Sequence, residues 1–238
     1  MSRIDELEVL TDLPFAPNAR ALREKLHLEE DSEENADFEN LLATARQVAR
    51  PKAIYRVAYV EARGDGTVTL SGVTFASRVL RANLDQVGRV FAYVATCGGE
   101  LDGINLPADD LIKKFWLEAI KAAALGCAAE ALHERLGRRY ALGKTATMSP
   151  GSGDASVWPI EQQKALFALF GNVKELIGVR LTDTFLMLPN KSISGIRFPT
   201  EREYKSCKLC RRANCPSRSA PFDAELAKSL GHEPDAAV

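Results

Sequence analysis

Three cysteines lie close together near the C-terminal end of the sequence. Cys207, Cys210 and Cys215 have two and four residues between them. Thiolates at this spacing can turn toward a single metal centre. Five cationic side chains in the same segment would lower the pKa values of the thiols and offset the charge of a bound cluster: Lys205, Lys208, Arg211, Arg212 and Arg218. The spacing therefore predicts a metal or cluster site.

The sequence favours an iron–sulfur cluster over zinc at these cysteines. Thiolates bind both, but neither a second Cys-x-x-Cys pair nor a nearby histidine is present to complete a zinc site. We therefore expect a 4Fe-4S cluster, with zinc as the alternative. Cys97, at the end of a predicted strand, is the candidate fourth ligand. Two other interpretations stay open: an iron site completed by a small molecule, and a Cys97 that is only a buried thiol.

A second candidate site is the loop that runs from Ser149 to Asp154. Its sequence is Ser-Pro-Gly-Ser-Gly-Asp, and the alternate glycines allow a ligand to approach the backbone closely. The carboxylate of Asp154 could accept a hydrogen bond from an ammonium or hydroxyl group. Taken alone, the segment is more simply interpreted as a turn without a ligand.

The elements that would position these residues are predicted from apolar periodicity and turn residues. Residues 145–154 are expected as a loop, and Cys127 as a small buried residue of an alanine-rich helix. Helices are predicted at 38–49, 77–86, 109–139 and 222–230, a hairpin at 53–60 and 67–70, and further strands at 89–96, 179–188 and 192–198.

Composition excludes several classes of protein. The chain has 238 residues, is 46% hydrophobic and carries a net charge of −1, which gives no general attraction to nucleic acid. No apolar run is long enough for a membrane span and the N-terminus lacks a signal-like apolar stretch, so we expect a cytoplasmic protein without membrane contact. His27, His133 and His232 are interpreted as surface or tail residues, which disfavours hydrolase chemistry.

Three stretches resemble, in order and spacing, the activation domain of cobalamin-dependent methionine synthase: 149–154, 158–163 and 177–195, with weaker support from 94–102. That family is a single α+β domain with a twisted antiparallel sheet flanked by helices. It binds S-adenosylmethionine and helps to remethylate oxidised cobalamin. The resemblance implies the same fold here and a ligand site at Thr147, Pro150, Gly151, Ser152, Gly153 and Asp154.

The chain departs from the family in two places. The family's loop reads Arg-Pro-Ala-Pro-Gly-Tyr, and here Thr147 replaces the arginine that meets the ligand carboxylate while Ser152 replaces the tyrosine. Loss of a bidentate, charge-assisted contact predicts weaker binding of S-adenosylmethionine. The cysteine-rich tail resembles that of stand-alone relatives in anaerobes and implies a built-in electron source.

The organisation expected from the sequence is an N-terminal helical segment at 1–50, an activation-domain-like core at 51–200 and a metal-binding tail at 201–238. The expected function is reactivation of a corrinoid protein, such as cobalamin-dependent methionine synthase, as a component of that methyltransferase activity rather than as an independent enzyme. The alternative is a non-catalytic module that docks on a corrinoid protein and holds structural zinc. A nucleic-acid-binding zinc protein is disfavoured by the near-zero charge and the lack of aromatic residues for stacking.

Overall fold

A computed structural model describes residues 6–232, so the outer ends of the predicted segments 1–50 and 201–238 lie outside the described residues. The strands are β1 (Leu7–Leu10), β2 (Lys52–Arg63), β3 (Thr67–Leu70), β4 (Val73–Ala76), β5 (Arg89–Thr96), β6 (Thr145–Met148), β7 (Arg180–Leu181), β8 (Met187–Leu188) and β9 (Ser192–Pro199). The α-helices are α1 (Ala19–Leu26), α2 (Glu33–Val48), α3 (Arg78–Asn83), α4 (Leu111–Tyr140), α5 (Gln163–Ala168), α6 (Val173–Ile177) and α7 (Ala224–Ser229).

Most of the strands form one antiparallel sheet in the order β4-β3-β2-β5-β9-β6, with β1 added beside β2. β2 pairs with β5 along one edge and is long enough to have two partners along the other, where β1 pairs with its first half and β3 with its second half. β2 and β5 lie at the centre, whereas β6 is an edge strand that pairs with β9. Helices mixed with an antiparallel sheet confirm the predicted α+β class.

The side chains of β5 alternate between two apolar layers. On one side, which we call the α4 face, they pack against residues of α4 such as Leu132 and Leu136. On the opposite face they join a larger cluster that contains side chains of α3, α5, α6 and α7. Burial on both faces explains why 89–96 is apolar almost throughout, and the prediction of a central strand is confirmed.

α4 spans the α4 face and also holds the N-terminal helices. It begins where Asp110 accepts a hydrogen bond from the backbone N–H of Lys113 at 2.9 Å, and it ends at Ala141, which has a left-handed conformation. Its first half packs on α1 and α2, with the rings of Phe38 and Trp116 edge to face at 6.0 Å. Although α4 is 30 residues long, no helix within 6–232 has the length and apolar character to cross a membrane.

The N-terminal segment contains a strand as well as helices. β1 extends the sheet, and its Glu8 carboxylate accepts a hydrogen bond from the Tyr55 hydroxyl and pairs with Arg135 at 2.8 Å. Burial raises the pKa of the Tyr55 phenol, and the hydrogen bond to Glu8 acts in the same direction. The prediction of a helical 1–50 segment therefore missed a strand, because 7–10 is too short to show a period.

Two other predictions for the elements were wrong. Residues 145–148, predicted as part of a loop, form β6, since pairing with β9 outweighs the turn residues that follow. The predicted strand 179–188 is instead a small hairpin of the two-residue strands β7 and β8. Its turn is closed by the N–H of Leu186 donating to the hydroxyl of Thr182 at 3.1 Å.

Gly195 fixes the distance between β9 and the end of β6. A Cβ atom at Gly195 would lie 2.5 Å from the carbonyl oxygen of Met148 and 2.7 Å from Oγ of Ser149. Such distances are far inside van der Waals contact, and the Met148 oxygen belongs to the backbone. Only glycine therefore lets the two strands meet at this point.

We predict that Gly195→Ala lowers the free energy of unfolding by about 1–3 kcal/mol, because the added methyl group pushes against backbone. Gly126→Ala is the control. Gly126 lies on an exposed part of α4 with nothing within 4 Å of the added atom, so alanine should stabilise the helix by about 0.5–1 kcal/mol. Urea unfolding measures both. Equal stability of Gly195→Ala and the wild type would show that the strand approach does not require glycine.

Candidate functional site

Two rows of side chains cross the α4 face at the β6 edge of the sheet. In one row, Tyr93 of β5 is level with Gly195 of β9, and its hydroxyl lies beside Ser149. In the next row, Arg197 of β9 is level with Thr147 of β6. Thr147, which the resemblance places in the ligand site, therefore lies among polar side chains from neighbouring strands.

Arg197 is a half-buried cation without an acidic partner. Its Nε donates a hydrogen bond to Oγ1 of Thr145 at 2.9 Å. Among residues 6–232, no carboxylate pairs with the guanidinium and no acceptor meets its two terminal amino groups. Burial lowers the pKa of Arg197, but a guanidinium stays protonated at neutral pH. This part of the α4 face therefore holds a positive charge without a counterion among the described residues.

Tyr93 and His133 complete the polar group. The Tyr93 side chain is 3% exposed, and its ring meets that of His133 edge to face at 5.8 Å. Burial raises the pKa of the Tyr93 phenol against the opposing effects of Ser149, Arg197 and Thr147. Burial also lowers the pKa of His133 to about 4, and the charge of Arg197 adds to this, so the imidazole is neutral at pH 7. We call this group the Arg197 patch: Tyr93, His133, Thr145, Thr147, Ser149 and Arg197.

Sequence reasoning found two residues of the patch, Thr147 and Ser149, and missed the others. Tyr93 and Arg197 belong to predicted strands, but only the register of the sheet brings them beside Thr147. His133 was interpreted as a surface residue, and this was wrong, because its Nε2 is buried between α4 and the sheet with no hydrogen-bond partner among the described residues. The one signal in the sequence was a basic residue inside the segment 193–198, whose other residues are uncharged.

The glycines of the loop after β6 serve turns and internal packing. Gly151 has a φ of 75°, and its N–H donates to the carbonyl oxygen of Trp158 at 2.7 Å. Gly153 has a φ of 82°, and a Cβ there would lie 3.1 Å from the carbonyl oxygen of Ser206. Positive φ values and these close neighbours both explain why the positions are glycine. The second glycine thus makes room for the C-terminal segment.

The Asp154 carboxylate already accepts hydrogen bonds within its own loop. Its Oδ1 accepts hydrogen bonds from the N–H and the hydroxyl of Ser156 at 2.9 and 2.7 Å, and its Oδ2 lies 3.6 Å from Nε2 of His232. His232 is buried, so the interpretation of this histidine as a loose tail residue was wrong. Pro150 is buried as well, whereas Gly151 and Ser152 are exposed. The structure therefore divides the predicted ligand set: Thr147 joins the Arg197 patch, and Gly153 and Asp154 contact the C-terminal segment.

The cysteine-rich segment is docked on the opposite face of the sheet. Cys207 lies in a short 3-10 helix, Ser206–Leu209, whose Leu209 is fully buried in the opposite-face cluster. The carbonyl oxygen of Lys208 accepts a hydrogen bond from the N–H of Asp223 at 2.8 Å. Residues 201–232 are therefore part of the same folded body as the core.

Arg218 closes the loop that carries the cysteines. Its guanidinium donates to the carbonyl oxygens of Cys207 at 3.5 Å, Cys210 at 3.3 Å and Ala220 at 3.2 Å, and also to that of Arg212. Hydrogen bonds from a charged donor are stronger than neutral ones. One side chain thus gathers four backbone acceptors of this segment.

The three thiols are free and half-buried. Hydrogen bonds from the hydroxyl and N–H of Ser219, each at 3.5 Å, lower the pKa of Cys207, and the charge of Arg218 acts in the same direction. Within the described residues, no group of three or more histidine, cysteine or acidic side chains is arranged to hold a metal ion. A metal at Cys207, Cys210 and Cys215 stays a prediction.

The structure does not bring Cys97 to the other three cysteines. Cys97 is 1% exposed in the cluster formed by α1, α2 and α4, whereas Leu209 of the cysteine segment belongs to the opposite-face cluster. Its Sγ donates to the carbonyl oxygen of Gly98 at 3.2 Å. Burial raises the pKa of Cys97 to about 11, which disfavours the thiolate that a metal requires.

A cleft of about 770 Å³ lies between α3, α7 and the cysteine segment. Arg78, Arg211 and Lys228 line it together with apolar side chains, and no acidic residue does so within the part of the chain that the structure describes. The guanidinium of Arg211 lies over the ring of Phe222 at 5.0 Å. Positive charge is therefore presented directly beside the cysteines.

We predict that a thiol reagent distinguishes the cysteines of the reduced, metal-free protein. At pH 8 a thiol with a pKa of about 11 is only ~0.1% thiolate, so Cys97 should be alkylated last. Cys207, whose pKa is lowered, should be labelled first. Peptide mass spectrometry after timed exposure to iodoacetamide measures the order, and guanidinium chloride should make the rates similar. Rapid labelling of Cys97 in the folded protein would contradict its buried environment.

Comparisons with known proteins identify a solved structure with a similar fold. A scan against protein-family models and a search of curated proteins found no match. Among solved structures, the chain is similar to the MetH reactivation domain bound to AdoHcy, with a TM-score of 0.55 and 16% sequence identity over 97% of this chain and 91% of that chain. The likeness extends over nearly the whole of both chains. This protein therefore has the fold of the MetH reactivation domain.

Proposed function

We propose that this protein is a reactivation protein for cobalamin-dependent methionine synthase or a related corrinoid methyltransferase in the cytoplasm. It would be a component of that methyltransferase activity rather than an independent enzyme. The observation that carries the proposal is the likeness of fold, over nearly the full length of both chains, to a reactivation domain that binds S-adenosylhomocysteine. That compound is S-adenosylmethionine without its transferable methyl group, so we infer that this protein binds the methyl donor.

The Arg197 patch supports a ligand of this kind. It combines a positive charge, three hydroxyl groups on or next to β6 and a buried imidazole nitrogen without a partner. Such a set of donors at the edge of a sheet suits the polar part of an amino-acid ligand. In reactivation, oxidised cobalamin gains an electron and a methyl group, and S-adenosylmethionine leaves as S-adenosylhomocysteine.

Cys207, Cys210 and Cys215 would hold the source of the electron. When bound there, an iron–sulfur cluster supplies electrons one at a time. Three observations support this proposal: the thiols share one loop, none is in a disulfide, and hydrogen bonds from Ser219 together with the charge of Arg218 favour the thiolate of Cys207. The three thiols would have to move together to bind the cluster, because the described side chains are not arranged around a metal ion. Arg218 would keep the loop closed around the ligands.

The acceptor would be cobalamin on a partner protein. The cationic cleft formed by Arg78, Arg211 and Lys228 lies beside the cysteine segment, and charge of one sign next to a redox site steers an acidic partner toward it. Such steering suits a contact that must break before the methyltransferase resumes its catalytic cycle.

We predict that anaerobically purified protein contains iron and acid-labile sulfide, and that Cys210→Ser removes both. Cys127→Ser is the matched control, because Cys127 lies on α4, away from the cysteine segment. Metal analysis and absorbance spectra provide the measurement. Stoichiometric zinc without sulfide in reconstituted material would overturn the cluster and favour a docking module with a structural metal.

We predict that the reduced protein lowers the absorbance of oxidised cobalamin bound to a methionine synthase, because an electron passes to the corrinoid. Cys127→Ser should retain this activity and Cys210→Ser should lose it. Stopped-flow spectroscopy under anaerobic conditions measures the change. An unaltered cobalamin spectrum with every corrinoid protein of the host would overturn the electron-delivery part of the proposal.

A further inference from the structure

We propose that Arg197 binds the carboxylate of S-adenosylmethionine and supplies, from β9, the guanidinium that is missing at Thr147. The inference rests on the proposed function, because it names a residue that recognises the methyl donor. It also revises an expectation from the sequence. Because Thr147 stands where the family has an arginine, the ligand carboxylate was expected to have no cationic partner.

The register of the sheet places the charge where it is needed. Thr147 and Arg197 are direct partners in the antiparallel pairing of β6 with β9. Side chains at such positions have Cβ atoms about 4.5–5.5 Å apart on the same face. A guanidinium from Arg197 therefore reaches the space that a longer side chain at Thr147 would occupy.

The charge of Arg197 lacks a counterion within the described protein. Only its Nε is engaged, by Thr145, and the terminal amino groups that could grip a carboxylate have no acceptor among residues 6–232. Removing a cation from water without a partner is unfavourable. A carboxylate ligand would compensate this cost and accept two parallel hydrogen bonds.

A second unpartnered group points to the same ligand. Nε2 of His133 is buried without a hydrogen-bond partner, and His133 lies close enough to Arg197 for the two to interact electrostatically. Buried polar atoms without partners are rare in folded proteins.

Two ligands that differ only in the carboxylate test the inference. Calorimetry should compare S-adenosylmethionine with decarboxylated S-adenosylmethionine on the full chain. Arg197→Met should weaken binding of S-adenosylmethionine by roughly tenfold to a hundredfold and leave the decarboxylated ligand unaffected. Arg180→Met, at an exposed arginine of β7, is the control and should change neither affinity. Thermal melting confirms that each variant is folded.

Two further variants keep the result interpretable. Arg197→Lys retains the charge without the bidentate geometry and should give an intermediate loss. Thr147→Arg combined with Arg197→Met moves the guanidinium from β9 to β6 and should restore much of the affinity. An equal loss for both ligands, or no loss with Arg197→Met, would overturn the inference alone. Failure of the wild-type protein to bind either ligand would overturn the proposed function and, with it, this role of Arg197.

Discussion

The absence of a side chain at Gly195 allows the end of β6 to lie directly against β9, and the arrangement of the α4 face depends on this contact. A Cβ would meet backbone and the Ser149 hydroxyl. With glycine, Tyr93 reaches across to Ser149, and Thr147 stays level with Arg197. β6 pairs with β9 alone, so a displacement at Gly195 would carry the whole edge strand and its hydroxyl groups away from the patch.

The loop after β6 joins the two faces of the sheet. Its first residues belong to the Arg197 patch, whereas Gly153 packs against Ser206 and Asp154 approaches His232 on the other side. The cysteine segment is thus held by the same loop that begins at the candidate ligand site. The proposed methyl donor and the proposed electron source would therefore occupy different faces of the sheet.

Elements with a strong local pattern could be predicted from the sequence. The hairpin at 53–70, the central strand 89–96 and the long helix after Pro107 were confirmed because their apolar periodicity is continuous. β6 could not be predicted, because its polar–apolar alternation covers only four residues and is followed directly by the turn residues Ser149, Pro150 and Gly151. Local sequence also contains no information about which face a segment occupies. For that reason Cys97 was associated with the cysteine cluster, although they belong to different apolar clusters.

The Arg197 patch is a second case in which local sequence does not reveal which side chains meet in space. Motifs are compared residue by residue along the chain. In such a comparison, a threonine at position 147 where the family has an arginine counts as the loss of a charge. In an antiparallel sheet, however, the nearest neighbour of a side chain on its own face belongs to another strand. Arg197 follows Thr147 by 50 residues in sequence and is its direct partner in space. In the proposed assignment the charge lies on β9 in place of β6 and stays at the same position of the sheet. The chemistry of an edge strand therefore has to be judged from the register of the sheet.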